Sequence, residues 1–441
     1  MESSKNIRKL AFKISWPMIV SELTESLYSL TDTYFVSKLG THSLAGIGVA
    51  SYVTWLIFGL TSIFSVGALV FIAQAYGAKE LKRARVALGT TIPVTILLTL
   101  PVALAVSARS DAFIALIAGS EEHGVITEGA SYLSIRALGF PIMAVAMCLD
   151  ASLRAVGATK YSMISIVFSA LLNVILDPIM IFGLLGFPKL GVAGAALATV
   201  ISSACLIPLS LTFLKRLDIL PIIRLDTEIL LKMLRVGVPA TAERFIFSLG
   251  NGVYIAIIAR CGPSAMAAHQ IGVRIESVIF MPGFAFSIAA STLVGQYIGA
   301  GNLPEGKKAG YEVAKLALIY MSLLGVLVAL ASRYIAMPFS TSEEVLTLAS
   351  IYLVLAGLSE PGLALAMTIG GAVRGAGNTV VPLIINSSCL YLVRIVPSLA
   401  LVRYMNVFGA WLAMAIDVYV RGAIMLWIYQ THYSALVRRL V

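Results

Sequence analysis

Apolar residues in this 441-residue chain fill whole segments, broken at intervals by short clusters of Lys, Arg, Glu, Gly and Pro. The runs fall at about 14–37, 47–76, 86–107, 130–153, 162–186, 192–214, 236–259, 269–298, 309–332, 345–373, 381–403 and 408–431. A stretch of roughly 20 apolar residues wound as a helix crosses the hydrocarbon core of a bilayer. The pattern therefore predicts an all-α polytopic membrane protein with twelve transmembrane helices. Pro17, Pro141, Pro239 and Pro361 sit inside these runs, where a proline frees a carbonyl and bends the helix.

Composition supports that pattern. With 59% hydrophobic and 12% charged residues and a mean hydropathy of +0.94, the chain has more apolar surface than a water-soluble core can hide, which excludes a soluble enzyme. The net charge of +10 would suit nucleic acid if the cations were clustered, but they lie in short loops. Outside the helix interiors, the N-terminus and alternate loops with their flanks carry 21 Lys and Arg, against six on the opposite side. The positive-inside rule then puts both termini in the cytoplasm, consistent with an even number of spans and with no nucleic-acid partner. Cys148, Cys205, Cys261 and Cys389 stand singly, with no disulfide or zinc spacing. The first run contains Glu22, Glu25 and Asp32 and no small-residue cleavage site, and reads as a retained helix.

The chain matches itself. At an offset of 222, Pro17 meets Pro239 and Gly40 meets Gly262, and Gln74, Gly77 and Ala78 meet Gln296, Gly299 and Ala300. At 220, Pro141, Arg154, Gly157 and Thr159 meet Pro361, Arg374, Gly377 and Thr379. Six spans per copy give both copies one orientation, so two six-helix lobes related by a pseudo-two-fold axis along the membrane normal are expected. The expected division is an N-terminal lobe at 1–214, a charged cytoplasmic linker at 215–235 and a C-terminal lobe at 236–441. Such a repeat suits a transporter whose lobes alternate access to a central site.

The repeat also supplies a control: polar residues present in one copy only need a reason other than the shared scaffold. In the span interiors, leaving aside Asp150, Glu312, Lys315 and Arg403 in the loop flanks, the first lobe carries Glu22, Glu25, Asp32 and Asp177 against Arg136 alone. The second carries Glu243, Glu276, Glu360 and Asp417 against Arg244, Arg274, Arg394 and Arg421, and can neutralise itself, for instance through Asp417 and Arg421 at i, i+4. The first lobe keeps a formal excess of three carboxylates, each costing about 2.5 to 3.5 kcal/mol at mid-membrane if ionised and unpaired, and so calls for a cation or a proton. Glu22, Glu25, Ser29 and Asp32 share a helical face expected to look into the lobe. Asn173 and Asp177 lie one turn apart on the fifth span, and Thr199 on the sixth. Asp32, Asp177 and Thr199 lie roughly 8, 13 and 10 Å from their runs' extracellular ends, in one slab of the membrane. Two carboxylates, an amide and a hydroxyl offer hard oxygen ligands to an alkali cation, and paired carboxylates can hold a proton. The repeat-related residues are Tyr254, Val393, Pro397 and Met414, so the oxygen cluster belongs to one lobe.

With these residues in view, the chain resembles the multidrug and toxic compound extrusion (MATE) family over nearly its whole length. The resemblance rests on Leu30-Thr-Asp-Thr33 in the first helix, on Ala73-Gln-Ala-Tyr-Gly-Ala78 and Gly295-Gln-Tyr-Ile-Gly-Ala300, and on Leu153-Arg-Ala-Val-Gly-Ala-Thr159 and Val373-Arg-Gly-Ala-Gly-Asn-Thr379. Asn173-x-x-x-Asp177-Pro178 and Gly191-Val-Ala-Gly-Ala-Ala-Leu-Ala-Thr199 complete it. It implies export of cationic or amphipathic compounds in exchange for Na+ or H+. The coupling site would map to Asp32, Asn173, Asp177 and Thr199, the first three as Na+ ligands, with a bend of the first helix at Pro17. Other branches of the family use acidic residues on the seventh and tenth helices; Glu243 matches the first and Glu360 lies about one turn from the second. Glu22 and Glu25 are further cavity candidates. The expected protein is a monomeric plasma-membrane transporter in contact with lipid, needing no cofactor beyond its coupling ion. The rival readings are a lipid-linked oligosaccharide flippase of the same superfamily, which would want a basic cavity, and an intramembrane enzyme using paired aspartates. No Gly-x-Gly-Asp or His-Glu-x-x-His element supports the enzyme.

Overall fold

A computed structural model gives the structure of residues 4–119 and 122–441, which are helical with short connections. The first half comprises α1 (Ser4–Ser37), α2 (Thr41–Gly77), α3 (Leu81–Ala108), α4 (Ser110–Ala118), α5 (His123–Leu138), α6 (Phe140–Ala155), α7 (Thr159–Phe182) and α8 (Val192–Arg216). The second comprises α9 (Thr227–Ala259), α10 (Pro263–Gly299), α11 (Leu303–Ala336), α12 (Glu343–Gly375), α13 (Val380–Cys389), α14 (Val396–Met405), α15 (Val407–Thr431) and α16 (Tyr433–Leu436). Among the described residues, ten segments are long and apolar enough to cross a membrane, and α5 with α6, meeting at 51°, make an eleventh. The twelfth is α1, whose Glu22, Glu25 and Asp32 lower its hydropathy.

The repeat is visible in the backbone. Gly157 and Gly377 both have positive φ, +78° and +86°. Each closes its preceding helix with the same pair of bonds: Gly157 N to Arg154 O and Ala158 N to Leu153 O, and Gly377 N to Arg374 O and Asn378 N to Val373 O. Left-handed backbone at a helix C-terminus is where glycine is favoured, which explains why both copies keep it. The prolines are less symmetric than expected. Gly139 and Pro141 break the first copy's fourth span into α5 and α6, whereas α12 runs unbroken through Pro361 with Ser359 in place of the glycine.

The chain divides into two compact units, one of residues 1–22, 77–79 and 238–441, the other of 23–76 and 80–237. These boundaries depart from the expected 1–214, 215–235 and 236–441, because the first helix of each half begins in the unit of the other half. In the first unit, Ile7, Ala11, Ile14 and Met18 at spacings of four, three and four enter a core with Ala289, Leu293, Val313, Ala317 and Tyr429. Arg8 adds a 2.9 Å ion pair to Glu312, which also holds Lys315 at 2.9 Å. In the second unit, the expected linker is shorter and docked. Helix α8 continues to Arg216 and α9 starts at Thr227, and the segment between lies along α3. There Ile222 N donates to Arg85 O, Arg85 Nε to Leu220 O and Thr90 Oγ1 to Arg224 O.

The docking needs Gly89, where an added Cβ would lie 1.8 Å from the Ile222 carbonyl oxygen. Gly89→Ala is expected to lower unfolding stability by about 1–3 kcal/mol, the usual cost of overpacking. Gly48→Ala is the control, since its Cβ would meet nothing within 4 Å. Equal unfolding temperatures for the two variants in detergent would show that the linker is not held there.

Candidate functional site

In the unit formed by 23–76 and 80–237, helices α1, α5, α7 and α8 bring the predicted oxygen ligands together. Asn173 and Asp177 are fully buried and Thr199 is 5% exposed. With the Asn173 amide oriented to satisfy both neighbours, its nitrogen donates to Asp177 Oδ2 at 2.9 Å and its oxygen accepts from Thr199 N at 3.3 Å. The Asp32 carboxyl on α1 lies within hydrogen-bonding reach of Asp177. Tyr28, one turn before Asp32, points its hydroxyl at Thr199 Oγ1, 3.4 Å away, while that hydroxyl donates back to Ala195 O at 2.9 Å.

Two residues not assigned to the site by sequence, Tyr132 and Arg136 on α5, complete this nest. Both act electrostatically on Asp32, and the Arg136 guanidinium lies 6.0 Å from the Tyr132 ring centre. The signal for them was present. Arg136 is the one basic residue inside a first-lobe span, and Tyr132, one turn earlier, is matched at an offset of 220 by Tyr352.

The charge excess is smaller than the sequence count of three. Glu22 belongs to the other unit, where it acts electrostatically on Arg244, and Glu25 is exposed, as is Ser29. The spacing that groups positions 22, 25, 29 and 32 spreads them over roughly 80° of arc and more than two turns, so only the Tyr28 to Asp32 end reaches the nest. What remains is Asp32 and Asp177 against Arg136, a formal charge of −1. Among the described residues, Asp32 Oδ1, Asp177 Oδ1 and two guanidinium nitrogens of Arg136 are buried without a hydrogen-bond partner. One proton or one monovalent cation between the carboxylates would cancel the charge and satisfy those oxygens.

Helix α1 runs through Pro17 as one helix, and Pro17 lies in the other unit, five residues before the division at 22/23. Pro239 lies two residues after the corresponding division in α9.

The second-half carboxylates are not gathered into one site. Glu243 Oε1 accepts from Arg374 Nη2 at 2.8 Å and from Asn386 Nδ2 at 2.5 Å. Glu360 sits fourteen residues before Arg374 on α12, about 21 Å along the axis. Asp417 is paired as expected with Arg421, and Arg394 joins them, with Nε and Nη2 each 2.9 Å from Asp417 Oδ2. Arg394 rides on a π-helical turn, Leu390–Ile395. A π turn inserts one residue, so the position matching Asp177 becomes Ser398, whose buried hydroxyl donates to Arg394 O at 2.6 Å. Self-neutralisation of this half is incomplete, because Glu360 is fully buried with both oxygens unpartnered among the described residues.

Known proteins share this fold. The chain aligns with a Vibrio cholerae MATE transporter, VcmN, at a TM-score of 0.90 and 20% identity, each covering 99% of the other. A probable multidrug resistance protein NorM of Thermotoga maritima is 31% identical over 438 residues, 96% of this chain and 92% of that protein. An FAD transporter of Shewanella oneidensis is 28% identical over 94% of this chain and 92% of its own length. The MatE family model matches residues 17–179 and again 239–399, one match to each copy of the repeat. This chain therefore belongs to the MATE family of membrane transporters.

Proposed function

We propose that this protein is a secondary antiporter that exports small organic cations or amphipathic compounds by alternating access, in exchange for Na+ or H+ at Asp32, Asn173, Asp177 and Thr199. The carrying observation is the Asp32–Asp177 pair, half-buried and fully buried respectively, which with Arg136 has a formal charge of −1 and has one oxygen of each carboxylate buried without a partner among the described residues. A site that is one positive charge short in a low-dielectric interior binds a cation or proton strongly in one state and releases it when hydrated in another. If export substrate and ion have different affinities for the two states, each must alter the other's binding. A bend of α1 at Pro17 accompanies loading of the site. The coupling ion is cargo, and no resident cofactor is required. The protein works as a monomer in the plasma membrane with both termini cytoplasmic, a placement favoured by the 21 to 6 distribution of Lys and Arg. The relative named for multidrug resistance supports the substrate class, while the one named an FAD transporter adds a nucleotide-sized anion to the compounds worth testing.

The test is export of a fluorescent organic cation from liposomes under a sodium gradient and then a proton gradient, with Asp32→Asn alongside and FAD as an alternative cargo. One gradient is expected to drive the wild type, with at least a ten-fold fall in the variant. Driven export of FAD alone would move the substrate class and keep the coupling site. No driven export of either cargo refutes the antiporter reading.

A further inference from the structure

A cation between Asp32 and Asp177 would satisfy their free oxygens and still leave one group of the first-half nest without a partner, the Arg136 guanidinium. Arg136 is 9% exposed, and its Nε and Nη1 are buried with no acceptor among the described residues. Neither aspartate is ion-paired to it. The Tyr132 ring at 6.0 Å offers the cation a π face, which replaces none of the hydrogen bonds that the guanidinium gives up on leaving water. The scaffold does not require a cation here either. At an offset of 220 Arg136 meets Ala356, buried in the core of its own half.

Arg136 lies at the level of the coupling ligands. It is six residues into its apolar run, about 9 Å from the same membrane face that sets the depths of Asp32, Asp177 and Thr199. One turn further, Gly139 packs so closely on Val200 of α8 that a Cβ there would overlap it, and Val200 directly follows Thr199. A buried arginine with unspent donors is costly to keep unless something supplies acceptors. Its planar fork of N–H groups matches the two oxygens of a carboxylate or a phosphate, so a bound oxyanion satisfies what the protein leaves open.

We infer that Arg136 is a specificity-determining residue that holds a carboxylate or phosphate group of the exported compound, at a subsite distinct from the Asp32–Asp177 ion site. The preferred cargo then carries an acidic oxyanion group as well as a basic one. Its basic group competes with the coupling ion for the two carboxylates while its acid rests on Arg136, so exchange is preserved. A cation lacking the acid leaves the guanidinium unpaired and binds more weakly. That the compound is cargo rests on the antiporter reading; that Arg136 binds its acid does not.

The test uses two fluorescent rhodamines that differ in one group, a free carboxylate in one and its methyl ester in the other. Fluorescence anisotropy reads their binding to the purified full-length protein in phosphatidylcholine nanodiscs, with no gradient and no transport. The wild type is expected to bind the acid about ten-fold more tightly than the ester, and Arg136→Gln to lose that preference through the acid alone. Arg136→Lys, which keeps the charge without the fork, should lose about three-fold of the preference, and it carries the test if Arg136→Gln does not fold. No binding of the acid by the wild type, equal binding of acid and ester, or an unchanged preference in either folded variant overturns the proposal. A preference that vanishes on adding phosphatidylglycerol or millimolar inorganic phosphate assigns the guanidinium to a lipid headgroup or a free anion, and overturns it as well. Failure of export in liposomes with the acid preference intact would refute only the antiporter reading.

Discussion

Asp177→Asn is expected to abolish ion-driven export, a loss of at least ten-fold, while leaving the folded protein as stable as the wild type or more so. Asparagine keeps the shape of the side chain and can still face Asn173, so the contacts of α7 with α8 survive. What disappears is one of the two negative charges that outnumber Arg136. An ionised, unpaired carboxylate in the membrane costs about 2.5 to 3.5 kcal/mol, so its removal relieves rather than strains the fold. The coupling ion then has nothing to neutralise.

Thermal unfolding supplies the independent readout, because a ligand that binds only the folded site stabilises by RT ln(1 + [L]/Kd). If Na+ is the coupling ion, Na+ should raise the wild-type unfolding temperature and leave the variant flat. If the proton is, the pH dependence of wild-type stability should flatten in the variant instead. Driven export by a folded Asp177→Asn protein at the wild-type rate would remove Asp177 from the coupling site.

The sequence exposes Asp32, Asn173, Asp177 and Thr199 because the repeat cancels the architecture. Polar residues without a counterpart stand out once the shared prolines and glycines are set aside. The same comparison is blind to depth: periodicity places Glu25 and Ser29 on the face of Asp32, yet both are exposed. The twelve apolar runs are legible as helices, since a bilayer leaves the backbone no other local solution. The break at Gly139 is less so, because α12 shows that a proline at the matched position does not by itself divide the span. Docking of residues 217–226 on α3 depends on close approach at Gly89, a tertiary fact with no local pattern. Arg394 reaches Asp417 by way of a π turn that no spacing rule announces, so the sequence gives the i, i+4 pair with Arg421 and misses the third member.

That third member makes Asp417 the residue whose loss should cost the most stability. Asp417 is fully buried, and both guanidiniums converge on its Oδ2. Asp417→Ala strands two buried cations, and breaking such a pair from one side costs about 3–5 kcal/mol. The unfolding temperature should fall sharply, well beyond the Gly89→Ala effect. Replacing all three charges with apolar residues, as Arg394→Leu, Asp417→Leu and Arg421→Met, removes the stranded charge, and such replacements of buried ionic clusters are commonly neutral or stabilising. Here recovery should be partial, because Arg394 also acts on Glu276. Adding Glu276→Gln to the triple variant should restore most of the remainder. If the triple variant recovers fully without it, Glu276 does not depend on the arginines. If Asp417→Ala unfolds at the wild-type temperature, the triad is not holding α15 against the π turn at all.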